Sequence, residues 1–158
     1  MGRVQLALNV ADIDEAVVFY SKLFAAAPAK VRPGYANFAL ENPPLKLVLI
    51  EDPEQQPGTL NHLGIEVATP DEVAAATARL GAAGLPTAEE QGVTCCYAVQ
   101  DKVWVDGPGG EPWEIYAVLA DADAMGTGVR GTTSGGPACC PGHRGASETT
   151  SAPDGPAR

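Results

Sequence analysis

"QLALNV" at residues 5–10 and "HLGIEV" at residues 62–67 are near-copies of one another, 57 positions apart. Each alternates Leu, Ile or Val with small or polar residues, the period-two pattern of a strand with one covered face. The similarity runs on: Asp14-Glu15 falls, at the same offset, on Asp71-Glu72. A helix is expected after each strand. "DIDEAVVFYSKLF" (12–24) carries Ile13, Ala16, Val17, Tyr20 and Phe24 at helical spacing behind an Asp12 cap. "TPDEVAAATARLGAAG" (69–84) begins with a Thr69 cap and Pro70 at the first helical position, and runs into Gly81 and Gly84. Further strands are expected over "YANFALE" (35–41) and "LKLVLIE" (45–51), joined by Asn42-Pro43-Pro44. In the second copy a less distinct stretch near Thr87–Glu90 precedes "YAVQ" to "KVWVDG" (97–107) and "EPWEIYAVL" (111–119), the last two joined by Pro108-Gly109-Gly110. The chain therefore reads as α+β, with two βαβββ modules over about residues 1–57 and 58–120.

Two such modules in one short chain resemble the vicinal oxygen chelate superfamily, whose paired modules curl a mixed sheet around a shared, metal-containing cup. The resemblance spans about residues 1–120. Residues 126–158 hold eight of the 18 glycines among many Ser, Thr and Pro and show no apolar period, so residues 121–158 read as a flexible, disordered tail. Acidic residues outnumber basic ones 20 to 10, a formal charge of −10, which argues against nucleic acid or an anionic membrane surface as partner. No apolar run approaches a membrane span and the N-terminus lacks a signal-peptide pattern, so a cytoplasmic location is expected. A homodimer is left open.

Strand alternation assigns faces. Leu6, Leu8 and Val10 are expected over the first helix, which turns Gln5 into the cup. Leu63, Ile65 and Val67 are expected over the second helix, which turns His62 the same way. In the last strand Trp113 and Ile115 take the helix side, and Glu114 and Tyr116 the cup side. Gln5, His62 and Glu114 thus share one surface. An imidazole and a carboxylate suit Fe(II), Mn(II), Ni(II) or Zn(II), and an amide oxygen supplies a weaker third contact. Each residue also has a plainer reading, as a hydrogen-bonded strand end or a surface carboxylate; their coincidence on one face favours metal. By the spacing of the two turns Val48 stands where Glu114 stands in the second copy, so one asymmetric site per chain is expected. Tyr35, Asn37, Lys102, Trp104 and Tyr116 also face the cup, as pocket lining or as residues that simply fill the sheet.

Cys95 and Cys96 sit side by side in "QGVTCCYAVQDKVW" (91–104). A disulfide between neighbours closes a cramped ring, so thiols are the expected state. A strand would point the two sulfurs apart, so the backbone must turn there, and a mobile loop at the rim of the cup is expected. Two adjacent thiolates make a clamp for a soft centre such as trivalent arsenic, Cd(II), Hg(II) or Cu(I).

Here the resemblance narrows. "VQLALNV", "FYSKLF", "NHLGIEV" and "GVTCCYAVQDKVWVDGPGGEPWEIY" are similar to the carbon–arsenic lyases known as ArsI, non-haem Fe(II) dioxygenases acting on trivalent organoarsenicals. The resemblance implies that Cys95 and Cys96 bind arsenic and that Gln5, His62 and Glu114 bind Fe(II). It also implies that methyl- or arylarsenous species and O2 are the substrates and inorganic As(III) a product, in arsenic detoxification. Ring-cleaving relatives use two His and one carboxylate; Gln5 stands where a second His would be expected. Two other functions compete: a non-catalytic protein that sequesters Cd or As, and a glyoxalase-like metalloenzyme that needs neither the thiols nor O2. The tail carries a second pair, Cys139 and Cys140, with His143, read as a thiol pair with no assigned role.

Overall fold

Every strand and helix expected from alternation and capping is present in the computed structural model, which describes residues 2–126; Cys139, Cys140 and His143 lie outside the described residues. The first module runs β1 (Arg3–Val10), α1 (Ile13–Phe24), β2 (Lys30–Arg32), β3 (Tyr35–Leu40) and β4 (Leu45–Glu51). The second runs β5 (Leu60–Glu66), α2 (Pro70–Ala82), β6 (Ala88–Cys95), β7 (Ala98–Asp106) and β8 (Pro112–Asp121). The short β2 carries too few residues for a periodic signal and was not legible as a strand. It forms because Lys30, Val31 and Arg32 find partners in Asn37, Ala36 and Tyr35 of β3.

All eight strands join one mixed, curled sheet in the order β2-β3-β4-β1-β5-β8-β7-β6, the paired-module arrangement of the vicinal oxygen chelate fold. The modules meet at the antiparallel β1–β5 seam, while β4 runs parallel to β1 and β8 parallel to β5. Among the described residues no helix is long and apolar enough to cross a membrane.

Both helices lie on the convex side, and each is started by the cap its sequence supplies. Asp12 accepts the amide hydrogen of Glu15 at 2.8 Å, and Thr69 with Glu72 forms a reciprocal capping box at α2. The face of α1 that carries Ile13, Val17, Tyr20 and Phe24 packs on Phe38, Leu47 and Leu49, with Phe24 edge-on to Phe38 at 5.9 Å. Val73 and Leu80 of α2 pack on Val103, Ile115 and Ala117, with Val67 at the margin. This corrects one expectation. Helix α2 sits mainly over β7 and β8, so Ile65 is 38% exposed, while Val67 packs against the core beneath the helix. Which strand a helix covers depends on crossover geometry, to which alternation is blind.

With the helices outside, the concave face buries the other half of each strand. Gln5, Ala7 and Asn9 of β1, His62 of β5, and Glu114 and Tyr116 of β8 are all at most 4% exposed.

Candidate metal centre and thiol turn

At the β1–β5 seam each large polar side chain faces a small partner: Gln5 opposes Gly64, and His62 opposes Ala7. Gly64 in turn pairs with Glu114 on its other side. That register brings three donors to one point. Gln5 Nε2 lies 3.0 Å from His62 Nε2 and donates to Glu114 Oε1 at 2.8 Å, and His62 Nε2 is 3.3 Å from the same oxygen. The cleft that these three line together with Tyr35, Val48, Cys95, Cys96 and Lys102 holds about 10 Å³, the room of a single water-sized occupant. In the first module the residue equivalent to Glu114 is the one beside Ala7, and it is Val48, buried and lining the same cleft. Among the described residues no group of three His, Cys, Asp or Glu assembles; the side chain that stands with His62 and Glu114 is the Gln5 amide.

Gly64 is a functional position that the sequence reading passed over. A Cβ there would sit 3.2 Å from Gln5 Cβ, Gln5 Nε2 and Glu114 Cγ, so the missing side chain is what lets the amide and carboxylate converge. Gly64→Ala is expected to push these groups apart by a few tenths of an ångström. The expected losses are about 1–3 kcal/mol of stability from overpacking and roughly tenfold in Co(II) affinity. Thermal unfolding and a Co(II) absorbance titration check both.

The donors are held from behind. His62 Nδ1 lies 2.8 Å from Asn61 Oδ1, Asn61 Nδ2 donates to Asn9 Oδ1 at 2.8 Å, and Asn9 Nδ2 donates to Thr59 Oγ1 at 3.0 Å. An amide oxygen is an acceptor, so Nδ1 carries the proton and the Nε2 lone pair points at the cleft. Tyr116 OH lies 2.6 Å from Gln5 Oε1 and 2.9 Å from Glu66 Oε2, and accepts from Lys46 at 3.1 Å. A hydroxyl both donates and accepts, so Tyr116 can support Gln5 with either face of its amide turned to the cleft. Burial, then the charges of Glu114 and Glu66, push the Tyr116 phenol well above its usual range and keep it protonated.

Lys102, 1% exposed, donates to Glu114 Oε2 at 2.7 Å and lies against the rings of Trp104 and Tyr116. Burial alone would raise the Glu114 carboxyl; the charge of Lys102 overcomes this and holds it far below the usual carboxylate range. The carboxylate is thus ionised, with Oε2 engaged by Lys102 and Oε1 facing His62 and Gln5. A buried imidazole nitrogen, an ionised carboxylate oxygen and an amide within 3.3 Å of one another form a donor set that fits a divalent first-row cation.

The cysteine pair closes the β6–β7 hairpin. Cys95 pairs with Ala98, which leaves Cys96 and Tyr97 as a two-residue turn with φ of +51° and +61°, the type I′ pattern. The expected mobile loop is therefore a tight turn. Such a turn favours Asn-Gly, and holding Cys and Tyr at positive φ costs on the order of 1–3 kcal/mol each. Tyr97 is pinned there: its hydroxyl donates to Pro33 O at 3.0 Å and its ring meets Tyr35 at 5.6 Å. The strain buys a geometry that an extended strand lacks, with the two sulfurs 3.6 Å apart on one side. Cys95 is buried with Trp104, and Cys96 and Met125 both pack against that pair. Cys96 is disulfide-bonded in this structure, contrary to the expectation of two thiols. Use of the pair as a clamp requires the reduced chain.

Both sulfurs line the same cleft as Gln5, His62 and Glu114. Of the other cup-facing candidates, Tyr35 and Lys102 line it too. Asn37, bonded to Tyr35 OH at 2.9 Å, lines an adjoining vestibule of about 200 Å³ that reaches Cys96. Burial raises the Tyr35 phenol to about 12 despite that bond. Trp104 lies behind His62, edge to face at 5.6 Å.

Residues 2–115 match the family model described as "Glyoxalase/Bleomycin resistance protein/Dioxygenase superfamily". The chain belongs to that superfamily. Two relatives are similar along most of their length. One is a "Cadmium-induced protein CadI" of Mycobacterium tuberculosis, 61% identical over 90% of this chain and 95% of that protein. The other is a "Trivalent organoarsenical cleaving enzyme" of Thermomonospora curvata, 60% identical over 79% of this chain and 83% of that enzyme. Among solved structures, the 2,3-dioxygenase LapB of Pseudomonas sp. KL28 superposes with a TM-score of 0.58 at 17% identity, over 77% of this chain and 43% of that one. At that identity the likeness speaks for the superfamily's fold alone.

Proposed function

We propose that this protein cleaves the carbon–arsenic bond of trivalent organoarsenicals in a reaction that needs Fe(II) and O2. The observation that carries the reading is the sharing of one cleft by two sulfurs 3.6 Å apart and the His62–Glu114–Gln5 donor set. The 60% identical Thermomonospora relative named as an organoarsenical cleaving enzyme supports it. In the reduced chain Cys95 and Cys96 take arsenic by replacing its oxygen ligands, which turns a bimolecular encounter into a local one. The vestibule of about 200 Å³ suits a methyl or single-ring substituent. His62 Nε2, Glu114 Oε1 and, once its amide turns over to exchange Nε2 for Oε1, Gln5 would hold the iron, with Lys102 keeping the carboxylate charged and Asn61 keeping the imidazole proton on Nδ1. When bound, Fe(II) supplies the electron chemistry that lets O2 attack an organic carbon. Burial of all three donors keeps water from competing there.

Sequestration of Cd(II) or arsenicals without turnover is the second reading, favoured by the 61% identical CadI relative. One experiment separates them. The reduced protein is reconstituted anaerobically with Fe(II) and given phenylarsenous or methylarsenous acid, then divided between air and argon. Inorganic As(III), with matching O2 uptake, is expected only in air. Tight binding with no As(III) release in air would leave sequestration standing and the lyase reading fallen.

A further inference from the structure

Among the described residues one buried side-chain oxygen or nitrogen lacks a hydrogen-bond partner: Gln100 Oε1. Its setting makes this notable, because the neighbouring buried polar groups Gln5, Asn9, Asn37, Asn61, His62, Lys102 and Glu114 are all engaged. Gln100 is 5% exposed, in β7 between Val93 of β6 and Val118 of β8, and lines both the inner cleft and the vestibule alongside Cys96. An unsatisfied buried acceptor lowers stability and is kept where a ligand completes it. An acceptor is completed by a donor, and the lysines that line the same cleft are directed elsewhere, Lys46 to Glu66 and Tyr116 and Lys102 to Glu114, so the empty place is for a donor group on the ligand.

We propose that Gln100 is a substrate-binding residue whose Oε1 accepts a hydrogen bond from the hydroxyl that arsenic keeps after the first of two thiol exchanges. This rests on the organoarsenical reading above and names the form of the substrate: an arsonous acid, R–As(OH)2. In the first exchange the thiol of Cys96, which reaches the vestibule, forms an As–S bond as one As–O bond breaks, and the thiol proton leaves with the hydroxide as water. The species R–As(OH)(S–Cys96) keeps one hydroxyl, and Gln100 holds it beside Cys95. The second exchange forms the Cys95–arsenic bond and releases a second water. Arsenic stays trivalent throughout, so no oxidant or reductant enters. The finished dithiolate carries no hydroxyl, and Gln100 then loses its partner.

The test uses the full chain with Cys139→Ser and Cys140→Ser, so that only the turn thiols remain, kept reduced by a phosphine. Metal-free Gln100→Met is expected to melt a few degrees higher than its parent, since an apolar side chain of similar length replaces an orphaned acceptor. In a Cys95→Ser background, which stops at the half-exchanged state, Gln100→Met is expected to weaken phenylarsenous acid binding roughly tenfold in equilibrium dialysis. With both thiols present the change should be under about twofold, because the hydroxyl is gone. Equal affinity of Gln and Met in the Cys95→Ser background, or a lower melting point for Gln100→Met, would overturn the assignment. A wild-type chain that binds the arsenical but never cleaves it in air with Fe(II) would sink the lyase reading alone, and the Gln100 comparison would still decide this one.

Discussion

Cys95→Ser/Cys96→Ser is expected to lower inorganic As(III) release from phenylarsenous acid by on the order of 10³-fold or more under saturating Fe(II), the loss that follows when an intramolecular reaction becomes bimolecular. The chain should still fold. The turn's backbone is held by Tyr97, whose hydroxyl and ring reach Pro33 and Tyr35, and Ser is close to Cys in volume. A Co(II) titration of the variant should match wild type, because Gln5, His62 and Glu114 are oriented by Tyr116, Asn61 and Lys102. The loss would then lie in capture of arsenic, with the metal centre intact. Each single variant should also lose most activity, since one sulfur cannot chelate. The assay keeps the chain reduced, given that Cys96 is disulfide-bonded in this structure, and substitutes Cys139 and Cys140 so that no second pair competes. A variant that releases As(III) as fast as wild type would end the clamp role.

The second large effect lies behind the metal centre. Lys102→Met is expected to destabilise the metal-free protein at pH 7 by about 3 kcal/mol or more, because it leaves the Glu114 carboxylate buried without its cation. The pH dependence gives the effect its signature. In wild type Glu114 titrates below its unfolded range because the Lys102 charge outweighs the effect of burial. Its contribution to stability is therefore complete above the ordinary carboxylate pKa near 4.5 and is lost as the pH falls toward the depressed folded value. In Lys102→Met that cation is gone and burial raises the folded carboxyl, so protonation relieves the variant as the pH falls. Wild type should lose stability on acidification below about pH 4.5, and the gap between the two proteins should narrow from pH 7 to pH 4. Urea unfolding across that range measures it. Lys102→Met/Glu114→Gln should recover most of the loss, since replacing both members of a buried pair removes the uncompensated charge. A gap that stays constant with pH would mean that the lysine acts through packing on Trp104 and Tyr116, and that the ion pair matters little.

Both predictions concern groups that the sequence makes visible but does not connect. Lys102 was legible as a cup-facing residue, because β7 alternates. That it meets Glu114 was not, since the contact depends on Lys102 pairing with Tyr116 and Trp104 with Glu114 across β7 and β8. The Cys95–Cys96 turn was legible as a departure from extended backbone; its tightness was not, because Cys-Tyr is a poor type I′ sequence.

By itself the sequence determined the two modules, their caps and the shared face of Gln5, His62 and Glu114. Period and offset are local properties, and a strand cannot present residue i without presenting i+2 beside it. Tertiary structure alone decided how the donors meet and what holds them. Gly64 opens the gap between Gln5 and Glu114, Asn9 and Asn61 orient His62, Gln100 is left with an empty acceptor, and Ile65 escapes the helix meant to cover it. Each of those depends on the register between strands distant in the chain and on where a helix lands on the sheet, and alternation within a single strand carries no information about either.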